Sequence, residues 1–160
     1  MSLEQVKTYL QAFQMADRVM EFPESSATVE LAAKALQTQP ERIAKTLSFY
    51  QEEGCLLIVT AGDMKIDNAK FKKTFGFKAR MLSAEDVLAM TGHAVGGVCP
   101  FGDFKTAVSI YLDISLKRFE TVFPACGSSH SAIELTCDQL ARLVPTAEWV
   151  DVCKAVSGGC

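Results

Sequence analysis

Hydrophobic positions recur along the chain with two periods, and the switches between them mark out short elements. Val6, Leu10 and Phe13 stand at helical spacing behind Ser2-x-x-Gln5, which has the form of a capping box, and predict an amphipathic helix over 3–16. A short strand over 18–22 is closed by Pro23. Thr28 precedes a helix with Val29, Ala32, Ala33 and Leu36 on one face. Thr38-x-x-Glu41, with Pro40 in the first turn, predicts a further short helix ending near Ala44. The alternating run 46–50 and the apolar run 55–60 flank the polar turn Gln51-Glu52-Glu53-Gly54 and predict an antiparallel hairpin.

Asp67 heads a helix carrying Phe71 and Phe75 and stopping at Gly76. Phe77, Ala79 and Met81 alternate as a strand; Ser83 then heads a helix that ends at Gly92. Val108, Ile110, Leu112 and Ile114 form the clearest strand pattern, followed by short strands at 122–125 and 132–135. Thr136-x-x-Gln139 caps a last helix that Pro145 ends, and 149–152 reads as a strand. Without internal repeat or linker, this order predicts one mixed α/β domain over 1–156 and a flexible tail over 157–160.

Composition narrows the class. Hydrophobic residues at 49% and charged residues at 22% describe an ordinary globular chain, without an apolar run of bilayer length. The start, Met1-Ser2-Leu3-Glu4, has no basic region before an apolar stretch, so a cytoplasmic protein with no membrane partner is expected. None of the six cysteines lies in a C-x-x-C pair. With only His93 and His130 beside them, Cys126-x-x-x-His130 is the nearest approach to metal spacing, and no metal or cofactor is expected. The net charge of −3 argues against broad nucleic-acid binding, DNA included. Locally, Lys65, Lys70, Lys72, Lys73, Lys78 and Arg80 crowd around a single Asp67. Lys70, Lys72 and Lys73 are therefore candidate contacts to an RNA backbone, or else one solvated helix face.

The stretch 91–102 holds four glycines and one proline and no charge. Gly96-Gly97 can expose backbone N–H and C=O groups at a defined place, either to line a pocket or to feed a developing oxyanion; a plain helix-to-strand turn is the alternative. Lys45 is the only charged residue between Ile43 and Tyr50, at an element boundary. Gly92-x-x-x-Gly96-Gly97-Val98-x-Pro100-Phe101-Gly102 resembles the signature loop of the YbaK family. These are aminoacyl-tRNA deacylases, also found as the editing domain of bacterial prolyl-tRNA synthetases. Lys45-Thr46-Leu47, Ala61-Gly62-Asp63, and Ala125 to His130 ahead of Ile133-Glu134-Leu135 extend the resemblance over nearly the whole chain.

The resemblance implies a curved, barrel-like, mostly antiparallel or mixed sheet with helices outside. It implies hydrolysis, in trans, of the ester of a mischarged tRNA, such as tRNA(Pro) carrying a small wrong amino acid. The partner would be the aminoacyl-tRNA acceptor end, with a synthetase as a further partner. On this resemblance Lys45, Gly96 and Gly97 are the catalytic candidates. Val98, Pro100, Phe101, Gly102, Gly127, Ser128, His130, Phe22 and Leu47 are the substrate-binding candidates. Lys45 would hold the terminal phosphate and ribose or stabilise developing charge; desolvation would also allow it to act as a base. The positioning role is preferred, with the substrate's ribose hydroxyl helping to activate water.

Selectivity would rest on pocket volume, with Met20, Phe22, Val29, Ala33 and Leu47 as walls. Ala125 and Ala132 stand where cysteinyl-specific members carry serine and aspartate, and Thr46 stands where alanyl-specific members carry asparagine. These departures weaken the transfer of either specificity, and the resemblance leaves the amino acid open. Two other classes remain: a thiol enzyme with Cys99 as nucleophile and His93 or His130 as base, and a module that binds tRNA or a synthetase without catalysis.

Overall fold

In the computed structural model, residues 2–104 and 106–156 are described. The hairpin predicted at 46–60 is the centre of the fold. Strand β2 (Ile43–Tyr50) pairs antiparallel with β3 (Cys55–Ala61) in the register Ala44↔Ala61 to Tyr50↔Cys55. Every residue of β3 is buried, as its unbroken apolar run requires of a strand covered on both faces. On its far side β3 pairs parallel with β5 (Val108–Asp113), and β5 pairs parallel with β8 (Glu148–Val150). Strand β6 (Phe123–Pro124) joins the other side of β2, again parallel, so the sheet order is β6-β2-β3-β5-β8. The mixed α/β class stands. In this sheet, however, only the β2–β3 pairing is antiparallel, and among the described residues it ends in two edges rather than a closed barrel.

One face of the sheet, through Ala44, Leu57, Val59 and Leu112, packs on α1 (Ser2–Gln11), α4 (Ala84–Thr91) and α5 (Cys137–Leu143), which contribute Val6, Leu10, Val87, Leu140 and Leu143. The other face, through Phe49, Leu56 and Ile58, packs on Phe71 of α3 (Asn68–Phe75) and on Val152 and Cys153. Helix α2 (Val29–Leu36) sets Ala32 and Ala33 against Ile43 and Phe123.

Four of the predicted caps form. Thr28, Asp67, Ser83 and Thr136 each accept backbone N–H bonds at the start of α2, α3, α4 and α5, and Gln139 completes the capping box at α5. The side chain of Ser2 lies outside the described residues, as does the tail 157–160.

Several boundaries differ from expectation. The first helix ends at Gln11 rather than 16, because Gln14 takes a left-handed φ of 61° and a 3₁₀ turn follows at Ala16–Arg18. The strand at 18–22 shortens to β1 (Met20–Glu21), paired with β7 (Ser131–Ala132). Thr38 caps nothing, and Pro40–Arg42 is only a 3₁₀ turn. Consequently β2 begins at Ile43, and Lys45 lies inside the strand rather than at its start.

Residues 77–81 form no strand; only Met81 bridges to Phe49. Ile114 does not continue β5 but opens a 3₁₀ turn, because Asp113 accepts the Ser115 N–H. Two three-residue strands, β4 (Met64–Ile66) and β9 (Cys153–Ala155), pair with each other and were not foreseen.

Candidate functional site

The site begins as a gap in the hydrogen-bond ladder along β2. Leu82 donates its N–H to the Ser48 carbonyl (3.1 Å), and Tyr50 donates to the Arg80 carbonyl (2.8 Å). In an antiparallel strand alternate residues turn their backbone groups to the same side. The backbone groups of Ala44, Thr46, Ser48 and Tyr50 therefore all point away from β3. At the other end β6 pairs only with Ile43 and Ala44. Between these two attachments the Thr46 N–H and C=O face an open edge.

A cleft of about 300 Å³ occupies this gap. It is walled by Ala44 to Thr46 and Ser48 of β2, Met81 and Leu82 beside the gap, and Phe123 and Ala125 beyond β6. The segment Ser26–Val29 at the start of α2 and Val95, Gly96 and Val98 of the glycine loop close it. Lys45 is the only charged residue among the lining side chains. It is half-buried, and burial lowers its pKa against the opposing pull of Cys153, Asp63 and Glu30. Its Nζ donates to the Gly62 carbonyl at 3.4 Å. Asp63 is held by Arg118 in a two-pronged ion pair at 2.6 and 3.0 Å, and no carboxylate among the described residues pairs with Lys45.

Three loops meet at the wall of the cleft. Gly96 has φ 97°, a left-handed conformation that favours glycine, and Gly97 sits so close to the next loop that a Cβ would stand 2.6 Å from Gly127 C and Ser128 N. His130 donates from Nδ1 to the Glu24 carbonyl (3.0 Å), while Phe22 and Ser26 donate their N–H groups to the carbonyls of His130 (2.8 Å) and Ser129 (2.6 Å). The loop 127–130 thus fixes both the glycine loop and the segment leading into α2.

Of the candidates named from the sequence, Lys45, Gly96 and Val98 line the cleft. Gly97, Gly127 and Ser128 form the backbone contact just behind it, where Ser128 Oγ donates to Ser131 Oγ at 2.8 Å. His130 and Phe22 brace the wall from outside it. Pro100 and Phe101 are buried, Phe101 in the core near Tyr9, and Gly102 lies beside His93, away from the cleft. Leu47 belongs to the opposite face of the sheet. Among the walls expected for selectivity Val29 is present, whereas Met20 and Ala33 pack on Ile43 and Phe123. Lys70 is engaged by Asp151 (3.0 Å) and the Cys153 carbonyl (3.2 Å); Lys72 and Lys73 are exposed on α3.

Among the residues that sequence reasoning missed are Ser26, Ser48, Met81 and Leu82, which converge only through tertiary contacts; Thr46 stood in the Lys45-Thr46-Leu47 motif as a departure from the alanyl-specific pattern and lines the cleft as well. Cys99 and His93 do touch, Sγ to Nε2 at 3.7 Å. Both are buried, Nε2–H is committed to the Phe101 carbonyl (3.0 Å), and burial pushes the Cys99 thiol up to about 12. That pair is a dry core contact without a thiolate. Among the described residues no group of three or more His, Cys, Asp or Glu gathers as a metal site, and no helix is long and apolar enough to cross a membrane.

Comparison with known proteins gives a concordant picture. The family model described as aminoacyl-tRNA editing domain matches residues 23–143. A Bacillus subtilis protein, YwhH, named as uncharacterized, is 55% identical over 96% of this chain and 98% of its own. EbsC of Enterococcus faecalis, named provisionally as a Cys-tRNA(Pro)/Cys-tRNA(Cys) deacylase, is 29% identical over 75% of this chain and 74% of its own. The proline–tRNA ligase of Thermotoga maritima is 29% identical over 82% of this chain, which spans only 22% of that ligase. A crystal structure described provisionally as a trans-editing enzyme for prolyl-tRNA synthetase superposes with TM-score 0.86 at 30% identity, covering 96% of this chain and 98% of that one.

Proposed function

Because the chain belongs to the aminoacyl-tRNA editing domain family, we propose that its cleft receives the aminoacylated 3′ end of a mischarged tRNA and hydrolyses the ester there, in trans. The observation that carries this reading is one ammonium, that of Lys45, without a carboxylate partner among the described residues, in the same cleft as the glycine loop and among lining side chains that are otherwise uncharged.

An aminoacyl ester is labile, so the protein needs mainly to hold it and stabilise the charge that develops. Water attacks the ester carbonyl carbon, the bond to the ribose oxygen breaks, and one proton of the water ends on that oxygen. The products are the free amino acid and a tRNA with its terminal hydroxyl restored. Lys45 attracts the terminal phosphate and ribose and stabilises negative charge on the carbonyl oxygen. The neighbouring ribose hydroxyl assists removal of the water's proton. The backbone of Gly96 and Gly97 shapes the wall against which the ester lies, and the limited volume excludes a large cognate residue. The acceptor end is single-stranded, so its bases can be splayed into a groove of this kind. This substrate sets the compartment as the cytoplasm, and a synthetase is a natural docking partner.

The test is a deacylation time course in EDTA on alanyl-, seryl-, threonyl- and cysteinyl-tRNA, with wild type beside Lys45→Ala. Hydrolysis of a small-residue ester by wild type, reduced at least about 100-fold in the variant, is expected. Wild type matching the no-enzyme control on every ester refutes the deacylase and favours a module that only binds.

A further inference from the structure

We infer that Met81 and Val95, on two walls at the mouth of the cleft, hold the terminal adenine of the tRNA; this rests on the deacylase reading above. Both bind the base and neither takes part in the reaction. The side chains lining the cleft divide by exposure. Its floor, with Ala44, Ser48, Leu82 and Val87, is buried, whereas at the mouth Met81 is 58% and Val95 66% exposed. Among the described residues these are the two most exposed large hydrophobic side chains. One such side chain alone on a surface needs no explanation, but here both border a single opening.

Each is placed by its own backbone. The Leu82 and Tyr50 N–H bonds to Ser48 and Arg80 frame an antiparallel bridge in which Met81 faces Phe49. Residues opposite each other across such a bridge share a face. Met81 therefore stands on the face of Phe49, Leu47 and Lys45, away from that of Ala44, Thr46 and Ser48. The ammonium that attracts the terminal phosphate and ribose shares this face. Val95 comes from the glycine loop, in the turn closed by the Gly97 N–H on the Ala94 carbonyl at 3.0 Å.

At about 300 Å³ the cleft is at the small end of ligand pockets, which span roughly 300–1,000 Å³. Filled by an amino acid and its ester, it leaves the base outside. The ester oxygen belongs to the ribose that carries this base, so the base lies at the mouth. The exposed residues of the lining there are Ala27, Thr28, Met81 and Val95, without an aromatic ring or a charge. A planar base has two broad faces of low polarity, which aliphatic side chains cover by dispersion and exclusion of water. Methionine, unbranched and polarizable, adapts well to such a face. This contact reads shape rather than donors and acceptors, which suffices because the last base is the same in every tRNA. Two side chains are too small a patch to hold a second copy of the chain.

The experiment uses the full chain and one tRNA carrying the small amino acid hydrolysed in the time course above. Its last nucleotide is either adenosine or the same ribose without a base. The ratio of kcat/KM for the normal over the abasic end is measured for wild type, Met81→Ala, Val95→Ala and Met81→Leu. Loss of fold or of general activity lowers both substrates alike and leaves the ratio in place. The ratio is expected to be about 100 in wild type and to fall about tenfold in either alanine variant, the loss expected for uncovering one aliphatic side chain. The fall should lie in KM with kcat held, and Met81→Leu should restore the ratio. A wild-type ratio near one, or a ratio that neither alanine variant moves, overturns the inference and leaves the deacylase reading standing. An unmoved ratio with a wild-type dimer that Met81→Ala turns into a monomer by light scattering would assign the pair to a contact between copies. No hydrolysis of the normal end by wild type, whatever the ester, removes both readings.

Discussion

Replacing Gly97 by alanine tests whether the contact between the glycine loop and the loop 127–130 sets the shape of the cleft. The new Cβ would lie 2.6 Å from Gly127 C, 2.6 Å from Ser128 N and 2.8 Å from Gly127 O, all backbone atoms that no rotamer change can move aside. To reach ordinary contact at 3.4 Å the two loops must separate by 0.8 Å, the difference between 3.4 and 2.6. Overpacking of this kind destabilises by about 1–3 kcal/mol, and for a chain of this size each kcal/mol lowers Tm by about 2–4 °C. A fall of about 2–12 °C is expected by thermal melting. Because a displacement near 1 Å at a reacting centre lowers rate by roughly 10²-fold, deacylase kcat/KM should drop by a comparable factor at a temperature where the variant is folded. Gly76→Ala is the matched control. Gly76 has φ +85°, nothing within 4 Å of its added Cβ, and a place at the end of α3 remote from the cleft lining. Its left-handed strain costs about 1–2 kcal/mol, so Tm falls similarly while kcat/KM stays at the wild-type value. Gly97→Ala at wild-type kcat/KM would refute the reasoning.

Two further outcomes follow from the electrostatics. Burial lowers the Lys45 pKa from its usual 10.5, so the ammonium is present at neutral pH and is lost as pH rises through the lowered value. Above the enzyme-free background, kcat/KM should fall on an alkaline limb below pH 10.5. Lys45→Arg, which stays charged, should remove that limb whatever its absolute rate. The same shift gives stability the opposite slope. The buried cation is unfavourable below the folded pKa, and stability rises with pH between that value and 10.5, a rise that urea titration should find missing in Lys45→Met. The Cys99 thiol, buried and pushed up to about 12, should escape iodoacetamide in the native protein at pH 7. Deacylation should survive the treatment; inactivation that tracks alkylation of Cys99 would restore the thiol mechanism.

The helices were legible because their signals are local. Thr28, Asp67, Ser83 and Thr136 each cap through backbone groups two or three residues away, so a few letters specify the contact. The β2–β3 hairpin was legible for a similar reason, since a polar turn ending in glycine joins two strand-like runs. Short pairings were not. β4 and β9 are three residues each and lie far apart in sequence, so neither carries a pattern above background. At 77–81 only Phe77 and Ala79 pack on the cluster around Phe71, whereas Met81 is exposed and makes the single bridge to β2. Within the site, Lys45 and the glycine loop stood out as motifs. The wall opposite them did not, because Ser26, Met81 and Phe123 meet across the chain by tertiary packing alone.

The width of the opening in β2 has a consequence for what can enter it. An exposed strand edge ordinarily invites another polypeptide to pair along it, the route to strand addition and aggregation. Here the opening is a single residue wide, closed on one side by β6 at Ala44 and on the other by Leu82 bonding to Ser48. Strand addition needs several consecutive donors and acceptors, and Thr46 alone offers one of each. The edge is therefore readable by a small polar molecule and unreadable by a protein chain, so the fold keeps a reactive stretch of main chain accessible without becoming sticky.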